Sequence, residues 1–390
     1  MKTAKKNILY IHRTQGKGVE GVHINGIVEG LRAAGCEVDI VCPVAAGEAG
    51  SSSGRFKALL KLIPEILFEI MEIFYNFPAC KKAKKLASAK KMDFIYERFA
   101  FFSWAGVLLS KRLKIPLFLE VNYTTYTPLI RKRTRLLLPL ARYIEKKVFK
   151  RSSGIFVVSS FLKKQLIGMG VPENKIHLTV NAVARDIFRS SPDSAQIKNK
   201  YGLTGRTVLG YVGGFYHWHG IDLLLEAVKN IESEHEGLSI LLVGDGPVKG
   251  QLKDLYEKLG MQSGLIMPGE VAHKDLPKYL DVMDICVLPD SNEYCSPVKI
   301  FEYMAMGKPV LAPDLGNVKD IIADKVNGIL FKPRDHIGLG KAIKLLLGNK
   351  ELYTKISLAA REEIFKHHLW SNNVDKILEV YAKAVEDYVG

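Results

Sequence analysis

Residues 289–309 read PDSNEYCSPVKIFEYMAMGKP. A loop holding Pro289 and Pro297 runs into a helical stretch, 299–306, which Gly307 closes. The opening turn of a helix carries N–H groups with no intrahelical acceptor and the positive end of the helix dipole, a ready seat for a phosphate. Lys299 adds a cation at that turn. Glu302, three residues on, lies along the same face, where its carboxylate can accept the protons of two ribose hydroxyls. The apolar run ICVL, 285–288, precedes the loop and PVLA, 309–312, follows the helix. Fully apolar strands joined through a helix indicate a parallel sheet covered on both faces.

The same alternation extends in both directions. Apolar β-branched runs at 207–213, 239–243, 264–267 and 328–331 complete one series. Runs at 7–12, 37–42, 94–98, 116–121, 154–159 and 175–180 form another. Two series predict two doubly wound, Rossmann-like α/β domains, expected to face each other across a cleft. The stretch 184–205 mixes turn formers with charges and marks the boundary, giving domains at 1–187 and 188–370. Residues 371–388 read as a helix packing back on the first domain, with Ser371 as its N-cap. Ligands of such sheets sit beyond the carboxyl ends of the strands. The loops after 212, 243, 268, 288 and 312, and those after 12, 98, 121 and 159, are therefore the places to look.

A chain of 390 residues, 47% hydrophobic and 25% charged, has room for two cores and is neither disordered nor low in complexity. Five scattered cysteines without a C-x-x-C pair argue against a disulfide framework or a zinc site, and fit a reducing, cytoplasmic setting. No run is long and apolar enough to be read as a signal peptide or a membrane span. Residues 1–190 hold 33 Lys and Arg against 14 Asp and Glu, whereas 191–390 hold 23 against 27. A balance of +19 in one half suggests a polyanion or an anionic membrane as its partner. No aromatic-and-basic strand pattern points to nucleic acid. Segment 55–91 instead combines an amphipathic helix, with Glu65, Glu69 and Glu72 on one face, and six lysines at 81–91. Basic 131–135 leads directly into Leu136, Leu137 and Leu138. Basic and apolar residues together are the composition of a peripheral contact at the inner face of a membrane.

Two glycine clusters, Val212-Gly213-Gly214-Phe215 and Val243-Gly244-Asp245-Gly246-Pro247, each end a strand; neither is a dinucleotide fingerprint or a Walker A loop. Taken with His219-Gly220-Ile221-Asp222, SPVKIFEYMAMGKPVLAPD and Asn327-Gly328-Ile329-Leu330, they resemble the donor domain of family 4 glycosyltransferases. Gly16 to Gly35, Tyr96-Glu97-Arg98 and Val180-Asn181-Ala182 extend the resemblance over the first domain. The resemblance implies a retaining, metal-independent hexosyltransferase of GT-B fold. Its donor would be a nucleotide-diphosphate sugar, its acceptor a saccharide or lipid-linked saccharide in polysaccharide or glycolipid synthesis. No bound cofactor is implied.

By the resemblance, Glu302 binds the ribose. Ser296, Pro297, Val298 and Lys299 hold the pyrophosphate and sugar, while Gly244, Asp245, Gly246, Glu270 and Val271 lie near the nucleobase. Gly16, Gly18, Gly213, Gly214, His217 and Glu293 complete the donor set. The sequence departs from the family at three places: Tyr294 stands at the first glutamate, Gly214 at an arginine and His219 at a phosphate-binding lysine. Lys299, with His219 or His217, is then expected to offset the phosphate charge. In the first domain the family's histidine after the fourth strand is replaced by Leu119-Glu120-Val121-Asn122. Glu120 and Asn122 share one side of an extended segment. Glu120 is expected either to accept the acceptor's proton or to pair with Arg98. His23, Glu97 and Arg98 join the acceptor side. No H-x-x-x-H or carboxylate set accompanies the histidines, so no metal is expected. Two alternatives are a nucleotide-sugar epimerase of the same fold and a non-enzymatic polyanion-binding protein.

Overall fold

The computed structural model describes residues 5–14, 18–42, 64–127, 136–189, 191 and 193–389. Gly16 and the basic 131–135 lie outside them. The chain divides into two compact units, one of residues 1–180 with 370–390, the other of 181–369. The division falls at Val180 and Asn181, ahead of the 187/188 boundary read from composition, and returns at Trp370.

The first unit carries six parallel strands, β1 (Asn7–Ile11), β2 (Glu37–Val41), β3 (Phe94–Arg98), β4 (Leu117–Val121), β5 (Gly154–Val157) and β6 (Ile176–Leu178). They lie in the order β2-β1-β3-β4-β5-β6. Its helices are α1 (Gly18–Ala33), α2 (Glu65–Phe74), α3 (Asn76–Ala89), α4 (Ala105–Leu113), α5 (Leu138–Arg151) and α6 (Ser160–Gly168). The order reverses between β1 and β3, so the loops leaving these two strands form the ligand-prone crevice of this sheet.

The C-terminal helix, Trp370–Val389, belongs to this unit and begins at Trp370, which places Ser371 inside the first turn rather than at the cap. Small residues let it lie flush on α1: a Cβ at Gly26 would overlap the Trp370 indole, and one at Gly30 would press on Val374. Its Tyr381 ring packs at a tilt of 35° against Phe94 of the sheet, 4.9 Å between centroids.

The second unit has β7 (Thr207–Val212), β8 (Leu238–Val243), β9 (Gly264–Gly269), β10 (Ile285–Val287), β11 (Val310–Pro313) and β12 (Ile329–Phe331), in the order β12-β11-β10-β7-β8-β9. Its helices are α7 (Ser194–Lys200), α8 (Ile221–Lys229), α9 (Lys249–Lys258), α10 (Leu276–Asp281), α11 (Val298–Ala305), α12 (Gly316–Lys319), α13 (His336–Gly348) and α14 (Lys350–His367). Apolar residues such as Leu209, Tyr211, Phe215, Leu224, Val287 and Ile343 fill its core. The switch point lies between β7 and β10, and the loops leaving these strands lead into α8 and α11.

The amphipathic helix read at 65–74 is α2. Its Glu69 is buried and Oε2 accepts the N–H of Leu137 at 3.0 Å, while Glu65 and Glu72 are half-buried and Leu67, Met71 and Phe74 face solvent. The buried carboxylate thus caps the peptide entering α5. Among the described residues no helix is long and apolar enough to cross a membrane.

Candidate functional site

In the second unit, α11 starts at the carboxyl end of β10 with no side chain capping its first turn. Its first intrahelical bond to the loop runs from Ile300 N to Pro297 O, 3.1 Å, which leaves the N–H groups of Val298 and Lys299 for a ligand. Ser296, just ahead of the Pro297 cap position, is tied down from elsewhere. Ser296 Oγ accepts the N–H of Asn181 at 3.0 Å, and its carbonyl accepts Asn181 Nδ2 at 2.6 Å. Asn317 Nδ2 donates to the carbonyls of Asn292 and Cys295 at 2.9 and 2.7 Å. The loop holding Glu293 and Tyr294 is thereby fixed as a rigid approach to the helix. Glu293 itself is exposed, and burial pushes the Tyr294 phenol up to about 12, so it stays neutral.

Lys299 reaches back across β7. Its Nζ lies 4.4 Å from the Tyr211 ring centroid and donates to the Tyr211 hydroxyl at 2.9 Å. Burial lowers this ammonium to about 8, against the opposing influence of Cys295 and Glu302. A cation that depressed, hydrogen-bonded to a neutral phenol, is poised to take an anion. Gly213 makes room for it, because a Cβ there would sit 3.0 Å from Nζ.

The remaining glycines have a packing use. Cβ atoms at Gly244 and Gly246 would run into the backbone of Gly213 and Phe215, and one at Gly214 into the Tyr216 ring. The loops after β7 and β8 are pressed together, with Gly213 N donating to Val243 O and Phe215 N to Asp245 O, both at 2.9 Å. Gly244 and Gly246 thus let the two loops meet, and Gly214 makes room within its own loop. Asp245 is spent locally, on Gly246 N at 2.7 Å and Lys249 at 2.6 Å.

His219 is a correction. Its Nδ1 lies 2.6 Å from the Gly214 carbonyl, which can only accept, so Nδ1 holds the proton. Burial, followed by the Lys299 charge, lowers its pKa to about 3. The ring is held neutral in the nucleotide-free protein, which leaves Lys299 and His217 of the expected cations. His217 is exposed on the short turn before it.

Glu302, nearly buried, gains a partner that spacing did not reveal: His273 Nε2 lies 2.9 Å from its Oε1. The hydrogen bond raises the His273 pKa, against its burial. His273 enters from the turn after β9, just beyond Glu270 and Val271. Glu270 is exposed, and Val271 lines a shallow cavity with Asp193, Lys278 and Tyr279.

The first unit brings Arg98, Glu120, Asn122 and His23 together. Arg98 Nη1 pairs closely with Glu120 Oε1, Asn122 Nδ2 donates to the same oxygen at 2.8 Å, and His23 Nε2 lies 3.1 Å from Oε2. Burial alone would raise the Glu120 carboxyl, but His23, Arg98 and Asn122 outweigh it and hold the group well below the usual range. Glu97, on the other face of β3, is not part of this cluster. Ser103 donates to its Oε1, and its carboxylate rests on Gly106 in the first turn of α4, where a Cβ would overlap it. Gly18, at the start of α1 with φ +62°, is open to solvent. Among the described residues no group of three His, Cys, Asp or Glu side chains is arranged to hold a metal ion.

Two family models match the chain: Glycosyltransferase Family 4 over residues 18–186 and Glycosyl transferases group 1 over 193–363, together most of its length. The chain belongs to this glycosyltransferase family. The alpha-D-kanosaminyltransferase of Streptomyces kanamyceticus is 24% identical over 64% of the chain, and the chain spans 66% of that enzyme, just under two thirds. An uncharacterized glycosyltransferase of Methanocaldococcus jannaschii is 26% identical over 79% of the chain and 80% of its own length. Alpha-monoglucosyldiacylglycerol synthase of Streptococcus pneumoniae is 20% identical over 74% and 67%. HepE of Anabaena in complex with UDP superposes with a TM-score of 0.74 at 17% identity, covering 97% of this chain and 100% of that one. Sucrose-phosphate synthase of Thermosynechococcus elongatus gives 0.72 at 18%, covering 98% and 100%. The glycosyltransferase thus has the GT-B fold, two Rossmann-like domains.

Proposed function

We propose that this glycosyltransferase moves a hexosyl group from a nucleotide-diphosphate sugar to an acceptor hydroxyl, with retention, in cell-surface polysaccharide or glycolipid synthesis. The observation that carries the reading is the first turn of α11: free N–H groups, a depressed Lys299 ammonium and the Glu302 carboxylate on one helix face. Glu302 accepts the ribose hydroxyls through Oε2 while His273 fixes the carboxylate through Oε1. The helix start and Lys299 take the diphosphate. Charge grows on that diphosphate as the glycosidic bond breaks, so contacts that strengthen there speed the reaction without a metal ion. HepE is described in complex with UDP and with UDP-glucose, which makes UDP-sugars the first donors to try.

On the acceptor side, the geometry favours the second of the two roles considered for Glu120. A carboxylate buried beneath Arg98, His23 and Asn122 and held ionised positions those groups; it has no open path to an acceptor proton. The acceptor is a saccharide or lipid-linked saccharide presented at an anionic membrane surface, for which the lysines of 81–91 supply the charge.

The test is incubation of the full chain with a panel of nucleotide sugars and saccharide or glycolipid acceptors, the product's anomeric configuration being read by NMR. Transfer with the donor's configuration kept supports the proposal. Inversion overturns retention, and an epimerised donor without transfer overturns the transferase reading itself.

A further inference from the structure

The apolar row of α2 is exposed and does not stand alone. Leu67, Met71 and Phe74 recur at helical spacing, and Phe77, 57% exposed, continues the row into α3. The Phe74 and Phe77 ring centroids are 5.9 Å apart, and Phe77 meets Trp104 edge-on at 5.5 Å. Trp104 shares a cavity of about 250 Å³ with Tyr143, Lys147 and Arg151 of α5. Tyr143 is 62% exposed, and Lys147 Nζ lies 5.4 Å from its ring centroid. Leu136 and Leu140, also exposed, border this face at the start of α5. Large exposed apolar side chains that form one contiguous patch mark an interaction surface.

Charge identifies the partner. Helices α3, α4 and α5 carry four, two and five Lys or Arg residues respectively. Their single carboxylate, Glu145, is buried and held by the backbone N–H and hydroxyl of Thr125. No exposed carboxylate interrupts this basic field on the three helices. An apolar ridge edged by aromatic rings, with the half-buried Glu65 and Glu72 on its own helix and cations on the three neighbouring helices, matches a lipid interface, where rings sit at headgroup depth and cations meet phosphate. A protein partner's surface would normally be met by charges of both signs.

We propose that α2, α3 and α5 form the face by which this chain docks on an anionic bilayer, with Leu67, Met71, Phe74 and Phe77 entering the interface and the Trp104–Tyr143–Lys147–Arg151 cavity taking a lipid phosphate. It deepens the reading of a membrane-presented acceptor: with Glu69 turned inward, the opposite apolar side of α2 is left for lipid. The surface belongs to the first unit and the nucleotide site to the second.

Sedimentation of the full chain with phosphatidylcholine vesicles, and with mixed phosphatidylcholine–phosphatidylglycerol vesicles, tests it. Binding is expected only to the mixed vesicles. F74S/F77S should lower it about tenfold or more, even at high salt, because apolar burial is not screened. K147Q/R151Q should lower it about tenfold at low salt and flatten the salt dependence. All four side chains are exposed, so melting temperatures should hold. Equal binding to neutral vesicles, no binding, or full binding by F74S/F77S would overturn the proposal. A wild-type dimer in light scattering that F74S/F77S makes monomeric would overturn it too, by reassigning the face to self-association. Binding of a panel of nucleoside diphosphates, UDP first, measured on the same samples, reports separately: a chain that docks on anionic vesicles but binds none of them keeps this surface and refutes the proposed function.

Discussion

Lys299→Met, followed by UDP titration across pH, isolates the charge that the donor site depends on. With its ammonium lowered to about 8 by burial, the free protein holds Lys299 mostly charged at pH 7 and mostly neutral at pH 9. A diphosphate at the start of α11 stabilises the charged form and draws the pKa back up. Binding should then weaken as pH passes 8, negligibly at pH 7 and about tenfold at pH 9, one protonation being required for tight binding. Methionine keeps the volume and removes the titration. At pH 7 the variant loses a charge-assisted hydrogen bond, about 1.5–3 kcal/mol or tenfold to a hundredfold in affinity. By pH 9 the gap between the two proteins should shrink about tenfold, and calorimetry at pH 7, 8 and 9 measures it. The nucleotide's own titration is common to both proteins and cancels in the ratio. A wild-type-to-variant ratio that stays constant across this range refutes the assignment of Lys299 to the diphosphate. Stability moves the other way. The folded pKa lies below the unfolded one, so stability of the nucleotide-free protein rises with pH between about 8 and 10.5. The full effect is roughly 3 kcal/mol at most. Lys299→Met should melt higher than wild type at pH 7 and lack that rise, a stability gain set against function.

Glu302→Gln should weaken UDP binding about tenfold to a hundredfold in calorimetry. It should also abolish the stability that the His273 pairing contributes below pH 6.5 and loses as pH climbs through the raised histidine pKa, so unaltered melting curves across that range would separate the two residues. Glu120→Gln leaves Arg98 and His23 poorly compensated in a buried place and should cost about 3 kcal/mol of stability, with turnover reduced and UDP affinity intact; wild-type turnover would make the cluster purely architectural. Gly244→Ala forces a Cβ into the Gly213 carbonyl at φ +139° and should cost roughly 3 kcal/mol or more by chemical denaturation, whereas Gly18→Ala, with open space around it, should show only the strain of its positive φ.

The inner strands, such as β1, β4, β8 and β10, were legible as apolar runs because a strand covered on both faces has no polar side to blur its pattern. The helix at Val298–Ala305, with Lys299 and Glu302 one turn apart, was legible for the same kind of reason: helical spacing alone fixes which residues share a face. Strand order was not legible. It comes from pairing between distant segments, and it is what makes the loops after β7 and β10 the switch point. The partners of the site residues come from the same source. His273 reaches Glu302 across 29 positions, and Lys299 reaches Tyr211 across 88. The neutral state of His219 depends on burial and on the Lys299 charge 80 positions on, and its tautomer on the Gly214 carbonyl, none of which a sequence displays. The sequence by itself showed that 65–74 is amphipathic; that Glu69 turns inward followed only when it found the Leu137 amide. A buried charge goes where a partner waits, and the apolar side is left to whatever surface lies outside.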